Sequence, residues 1–180
     1  MSRPRRILVV EDEESLAALI ASRLDGLDAG DRVLVSDAAV LGQSFTLAGL
    51  GAVSSRPEAE LEAGLRRLVR REILAIAADP RSPERGQYAF VQAMIREVAY
   101  NTLSRPERKV RHLAAARYLE SLGSDELAGA LANHYLDAQA NAPAGPERDA
   151  LAGQARISLQ AAAQRASALG SHETAIAHLE

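Results

Sequence analysis

The spacing of apolar residues predicts a series of amphipathic helices with one pair of short strands near the middle of the chain. Over most of the sequence, apolar residues recur every three or four positions, as on one buried helix face. The exceptions are the β-prone runs Ile73–Ile76 and Gln87–Val91, and Pro80, Pro83 and Gly86 lie between them. Turn residues between two such runs indicate a hairpin. We therefore expect a mainly α fold with one small β-hairpin.

The helices before this hairpin follow each other closely. The first is predicted to begin at Glu11–Glu14, where carboxylates meet the positive end of the helix dipole. Further helices are predicted to end at Gly42, to span Thr46–Val53 and to open at Pro57. Several helices followed by a hairpin is the order of a winged-helix unit. The face predicted to be buried in the first helix comprises Leu16, Leu19, Ile20, Leu24 and Leu27.

The chain after the hairpin is predicted to be entirely helical. A helix opened by Pro106 is expected to bury Val110, Leu113, Ala114 and Tyr118, and Glu147–Leu169 is predicted as one long helix. With the segment 171–180, that long helix resembles one tetratricopeptide-type repeat, and about three such repeats are needed for a stable array. The predicted domains are an unassigned segment 1–13, a winged-helix-like domain 14–104, connecting helices 105–140 and the start of a tetratricopeptide-like array, 147–180.

Composition narrows the possible chemistry. The chain contains no cysteine, which excludes disulfides, thiolate metal sites and cysteine nucleophiles. Although the net charge is -3, residues 61–120 hold 12 of the 21 basic and 7 of the 24 acidic residues. This basic segment faces an ATPase module, DNA or solvent, and the sequence leaves these three alternatives open. Its candidate surface residues are Arg66, Arg67, Arg70, Arg71, Arg81 and Arg85.

No catalytic constellation emerges from the remaining residues. The opening stretch resembles the start of a receiver domain, in which Glu11 and Asp12 would hold Mg²⁺, but no second strand ending in a phosphoacceptor aspartate follows. The four histidines lack the i, i+4 spacing of a metal site, and no G-x-S-x-G elbow surrounds a serine. We therefore predict no catalytic residue, no metal ligand and no cofactor in this chain. The absence of a long apolar run predicts no membrane span, and we expect a cytoplasmic location.

Two segments, Asp37–Phe45 and Gly86–Tyr100, carry a family resemblance. They resemble large bacterial signal-transduction regulators that join an adenylate/guanylate cyclase domain to an AAA-type ATPase and tetratricopeptide repeats. The resemblance extends in one register from about Glu14 to Glu180 and includes Ser104–Glu120. It implies that this chain corresponds to the winged-helix lid and to the start of the helical sensor arm.

The resemblance also implies a function. The expected role is non-catalytic, coupling the nucleotide state of an ATPase to a helical array that senses a protein partner. ATP and Mg²⁺ are implied only for domains upstream of the matched region, because no phosphate-binding loop occurs in this sequence. Family members place a histidine near the nucleotide phosphates where this chain has Gln92, and Arg96 lies one helical turn further on. These two residues are the predicted nucleotide-facing pair, and an autonomous winged-helix DNA-binding regulator is the alternative.

Overall fold

The computed structural model describes residues 6–77, 86–171 and 175, with side chains described from Ser15 onward. Three short strands occur in these residues: β1 (Ser44–Phe45), β2 (Leu74–Ile76) and β3 (Tyr88–Phe90). The predicted mainly α fold with a small antiparallel β element is confirmed. Eight α-helices lie in the described residues: α1 (Arg6–Asp25), α2 (Ala29–Leu41), α3 (Leu47–Ser54), α4 (Glu58–Arg70), α5 (Ala93–Asn101), α6 (Arg105–Leu122), α7 (Ala128–Asn141) and α8 (Pro146–Ala168).

The sheet contains one strand more than the predicted hairpin. Its order is β1-β3-β2, and both pairings are antiparallel. In β1, Phe45 lies opposite Tyr88 of β3, and the two rings stack at 6.0 Å between centroids. A strand of two residues is too short to show an alternating pattern, which explains why the sequence did not predict β1. The segment between β2 and β3 that contains Pro80 and Pro83 lies outside the described residues.

The chain divides into two compact units, an N-terminal unit that ends at Leu103 and a C-terminal unit that begins at Ser104. The core of the N-terminal unit is made of large aliphatic side chains from the helices and of Phe45 and Phe90 from the sheet. Leu61, Leu65 and Leu68 of α4 recur at the spacing of one helix face and are fully buried. The amphipathic pattern of α4 therefore determines which side of this helix joins the core.

The predicted start and buried face of α1 were partly wrong. The helix begins at Arg6 rather than at Glu11–Glu14. Ile20 and Leu24 are buried as expected, but Leu16 and Leu19 are 41% and 60% exposed. Leu19 lies about 100° around the helix from Ile20, so it lies outside the face of α1 that packs against the core. In this unit, α1 packs mainly against the short helix α5.

The C-terminal unit packs α7 against both α6 and α8. Its core is dominated by small residues, with Ala116, Ala138 and Ala155 around Tyr135 and Leu151. Alanine lets helix backbones approach closely, because its side chain occupies little space between them. The predicted long helix at 147–169 is confirmed by α8, whereas the helix predicted for 171–180 lies outside the described residues except for Ser171 and Ala175.

The predicted buried face of α6 was only partly right: Leu113, Ala114 and Tyr118 are half-buried, and Leu113 packs against the core. Val110 is exposed, and the buried residues of this helix are His112, Ala115 and Ala116. Periodicity favoured the larger apolar side chains, but close packing of helices selected the side with small residues. No helix in the described residues is both long enough and apolar enough to cross a bilayer.

Candidate functional site

The arginines of α4 differ in how strongly their guanidinium groups are bound by other residues of the protein. Arg67 is the most engaged of them: its guanidinium donates to both carboxylate oxygens of Asp31 on α2, with Nε 2.9 Å from Oδ2. Asp31 is buried, whereas the side chain of Arg67 is partly exposed. The hydrogen bonds to Asp31 raise the pKa of Arg67 above its usual value. An arginine bound in this way stabilises the contact between α2 and α4 and contributes less to a free basic surface.

The contact between α2 and α4 begins at the first turn of α2. Asp28 caps this helix by accepting a hydrogen bond from the backbone N–H of Asp31 at 2.7 Å. That hydrogen bond lowers the pKa of Asp28. Gly64 of α4 passes close by, and a Cβ atom at this position would lie only 2.5 Å from Cδ2 of Leu34. The glycine therefore allows α4 to approach α2 closely enough for Arg67 to reach Asp31.

Among the other predicted basic residues, those that the structure describes make only weak interactions. Arg66 forms a 3.4 Å ion pair with Glu62 one turn earlier, and both side chains are largely exposed. Arg70 is exposed at the end of α4, and Arg71 donates weakly to the backbone oxygen of Gly26 at 3.4 Å. Arg81 and Arg85 lie outside the described residues. Within the described part of this set, Arg66, Arg70 and Arg71 remain at the surface for a partner.

Three carboxylates mark the opposite end of α4. Glu58, Glu60 and Glu62 occupy its first turns, and the first two are exposed. In helix-turn-helix proteins, the N-terminal residues of the recognition helix contact base edges in the major groove. Carboxylates there repel the phosphate backbone and read only cytosine well. The charge of α4 is thus divided, with its acidic end where a DNA reader needs neutral or basic side chains.

The two predicted nucleotide-facing residues have different surroundings. Gln92 is the exposed residue immediately before α5. Arg96 is half-buried, and its Nε donates to the backbone oxygen of Ala39 at 3.0 Å. Ala39 lies in the last turn of α2, where backbone carbonyls lack partners within the helix. Arg96 therefore caps the C-terminal end of α2 by donating to one of its terminal carbonyls. The sequence did not indicate this structural role.

Two histidines on different helices also contact each other, which the sequence did not predict. His112 of α6 and His134 of α7 approach to 3.0 Å between their Nδ1 atoms. Spacing within one helix cannot reveal such a pair, because its members are 22 positions apart on two helices. Within the described residues, no group of three or more His, Cys, Asp or Glu is arranged to hold a metal ion.

Comparisons of the chain with protein-family models, curated proteins and solved structures found no match.

Proposed function

We propose that this chain is a non-catalytic coupling module of a multidomain signal-transduction regulator. In this proposal the N-terminal unit acts as the lid of an AAA-type ATPase, and the C-terminal unit begins a helical array that binds a protein partner. The observation that carries the proposal is the order of elements in the N-terminal unit. Helices α1 and α2, strand β1, helices α3 and α4 and the pair β2–β3 form a winged-helix-like arrangement with the sheet order β1-β3-β2.

The connection between the two units supports a coupling role. Only Thr102, Leu103 and Ser104 separate the end of α5 from the start of α6. Ser104 begins a capping box, in which its backbone N–H and its hydroxyl both donate to Glu107, at 2.9 and 2.6 Å. A capping box stabilises the first turn of α6 directly after the connection. Rigid-body motion of one domain is a common means of transmitting a nucleotide state.

The charge distribution of α4 favours a protein partner over DNA. Its exposed arginines lie near the C-terminal end, and its N-terminal turns carry Glu58, Glu60 and Glu62. Neighbouring basic and acidic surfaces suit a protein interface, where complementary charge fixes register and partner choice. The basic residues expected to contact an ATPase module are Arg66, Arg70 and Arg71.

A salt titration tests the choice between protein and DNA. The full chain is mixed with a fluorescent duplex of mixed sequence, and anisotropy is followed from about 25 to 200 mM salt, a range in which phosphate contacts lose most of their strength. We expect no saturable binding at the lowest salt. Saturable binding that weakens with a log–log slope of about -0.9 per phosphate contact, and that is reduced in Arg70→Ala, would establish the DNA-binding alternative instead.

The lid role is tested in a protein that also contains the ATPase module. Reading the genomic sequence upstream of Met1 for an in-frame G-x-x-x-x-G-K-S/T segment identifies that module. We then expect Gln92→Ala to weaken nucleotide binding, because Gln92 is exposed and available to donate to a phosphate. Glu97→Gln, an exposed change on α5, serves as the matched control. Equal nucleotide affinity for Gln92→Ala and unaltered protein would remove the lid role and leave the fold assignment untouched.

A further inference from the structure

The C-terminal unit contains a hydrogen bond between two titratable rings. Nδ1 of His112 on α6 lies 3.0 Å from Nδ1 of His134 on α7, and the ring centroids are 5.2 Å apart. His112 is 2% exposed, so water does not replace this contact easily. The pair therefore links two helices of the unit through two titratable imidazole groups.

The contact depends on how many protons the pair carries. A hydrogen bond between two Nδ1 atoms requires that one nitrogen bears a proton and the other does not. The neutral pair satisfies this condition, and so does the pair after it has taken up one proton. A second proton places two N–H groups and two positive charges against each other. The doubly protonated pair must separate, since neither ring retains an acceptor at this position.

The charged groups around the pair come from all three helices of the unit. On α7, Oδ2 of Asp137 lies 3.7 Å from Nδ1 of His112. On α6, Lys109 precedes His112 by one turn, but it is neutralised by Glu147 of α8 at 2.8 Å. Arg108 and Arg111 precede His112 along α6, and Glu120 further on accepts from Tyr135. Asp137 thus supplies a carboxylate close enough to the pair to balance a single proton.

We propose that the His112–His134 pair is a proton-sensitive contact that holds α6 and α7 together at neutral pH and loosens their packing in mildly acidic conditions. This would make the helical unit responsive to pH, a property that goes beyond the coupling role proposed above. The chemistry involves proton uptake only, and the signal is the acidity of the surrounding solution.

Burial determines the direction of the effect. Desolvation lowers the pKa of His134 to about 4, below its ordinary value of 6.5. The unfolded chain therefore binds a proton more readily than the folded unit does, and stability rises with pH in this interval. The stability that the neutral ring of His134 contributes is therefore complete above about pH 6.5 and is lost as pH falls towards 4. One such group changes the opening equilibrium by up to about tenfold per pH unit within the interval.

Hydrogen exchange on the whole chain tests the proposal, with the N-terminal unit as internal control. Exchange is measured at several values between about pH 7 and 5 and corrected for the intrinsic rate. We expect peptides from α6 and α7 to open about ten times more readily at the lower end, and peptides from α4 to change little. His134→Asn keeps a polar group at the site of Nδ1 but does not titrate, so its α6 and α7 peptides should lose this dependence. Equal pH dependence in His134→Asn and unaltered protein would overturn the proposal.

Two further measurements separate the histidine pair from other titrating groups of the unit. Glu147→Gln removes the salt bridge with Lys109 and is expected to retain the pH dependence; loss of the dependence would assign it to that carboxylate and overturn the proposal. Imidazole nitrogen NMR on the unaltered chain needs no variant that must fold. We expect one histidine to remain neutral down to about pH 5, and titration of all four near 6.5 would contradict the assignment.

Discussion

Arg67 of α4 holds the buried carboxylate of Asp31 on α2 with two donors at once, Nε to Oδ2 at 2.9 Å and Nη2 to Oδ1. Such a bidentate pair fixes geometry as well as charge. Asp31 is 3% exposed at its side chain, so it depends on this arginine for a charged partner. The two helices are therefore joined by an interaction that neither helix pattern displays.

The first prediction concerns loss of this partner. Arg67→Ala should lower the urea midpoint of unfolding clearly, because it leaves the buried carboxylate of Asp31 without its guanidinium. Arg66→Ala, on the neighbouring position of the same helix, removes only an exposed i, i+4 pair with Glu62, a type of pair that contributes about 0.3–0.5 kcal/mol. Chemical denaturation followed by circular dichroism compares the two variants. Equal midpoints would mean that Asp31 is not held by Arg67 in solution.

The second prediction contrasts two helical glycines. Alanine at Gly64 places a Cβ atom 2.5 Å from Leu34, which is itself fully buried, so overpacking should outweigh the gain in helix propensity. We expect Gly64→Ala to lower the free energy of unfolding by about 1 kcal/mol or more. Gly153 of α8 has no atom within 4 Å of such a Cβ, and Gly153→Ala should raise stability by about 0.5–1 kcal/mol. Thermal unfolding of both variants measures the sign, and a stabilising Gly64→Ala would contradict the close packing of α2 and α4.

A third prediction concerns the capping box at the start of α6. Ser104→Ala should cost about 1 kcal/mol or less, because the hydroxyl no longer donates to Glu107. The hydrogen bonds from Ser104 also lower the pKa of Glu107 below its ordinary 4.5. The stability that these hydrogen bonds contribute is therefore present above pH 4.5 and is lost as pH falls through the lowered pKa of Glu107 in the folded chain. Denaturation at successive pH values should show a smaller loss below pH 4.5 in Ser104→Ala. Ser121→Ala near the end of the same helix is the control, and an identical acid response in Ser104→Ala and unaltered protein would contradict the capping role.

The fourth prediction concerns Tyr135, whose hydroxyl donates to Oε1 of Glu120 at 2.6 Å. Tyr135→Phe should lower the free energy of unfolding by about 1 kcal/mol, the usual net value of one hydrogen bond. Burial, followed by the bond to Glu120, raises the pKa of Tyr135 to about 12. Since this pKa is raised, the stability that the protonated Tyr135 hydroxyl contributes is complete below pH 10 and declines as pH rises towards 12. Tyrosinate absorbance should therefore show a late titration that disappears in Tyr135→Phe and persists in Tyr118→Phe. A late titration that remains in Tyr135→Phe would refute the assignment.

The candidate site was only partly accessible from the sequence. Arg66, Arg70 and Arg71 were predicted as surface residues of the basic segment, and they lie at the surface. The role of Arg96 at the end of α2 was not predictable, because its acceptor, the backbone oxygen of Ala39, has no side-chain signature. The nucleotide-facing role of Gln92 stays a prediction.

Local patterning by itself indicated most of the helices, several of their ends and the two strands β2 and β3, since periodicity and turn residues act over a few positions. The start at Thr46, the end at Gly42 and the long helix α8 follow from such signals. Tertiary structure alone decided which of several apolar faces became buried, as at Leu19 and Val110. It also formed the pairs Asp31–Arg67 and His112–His134, which join residues far apart in the chain. Partners on different helices meet only after those helices pack, so no local rule specifies them.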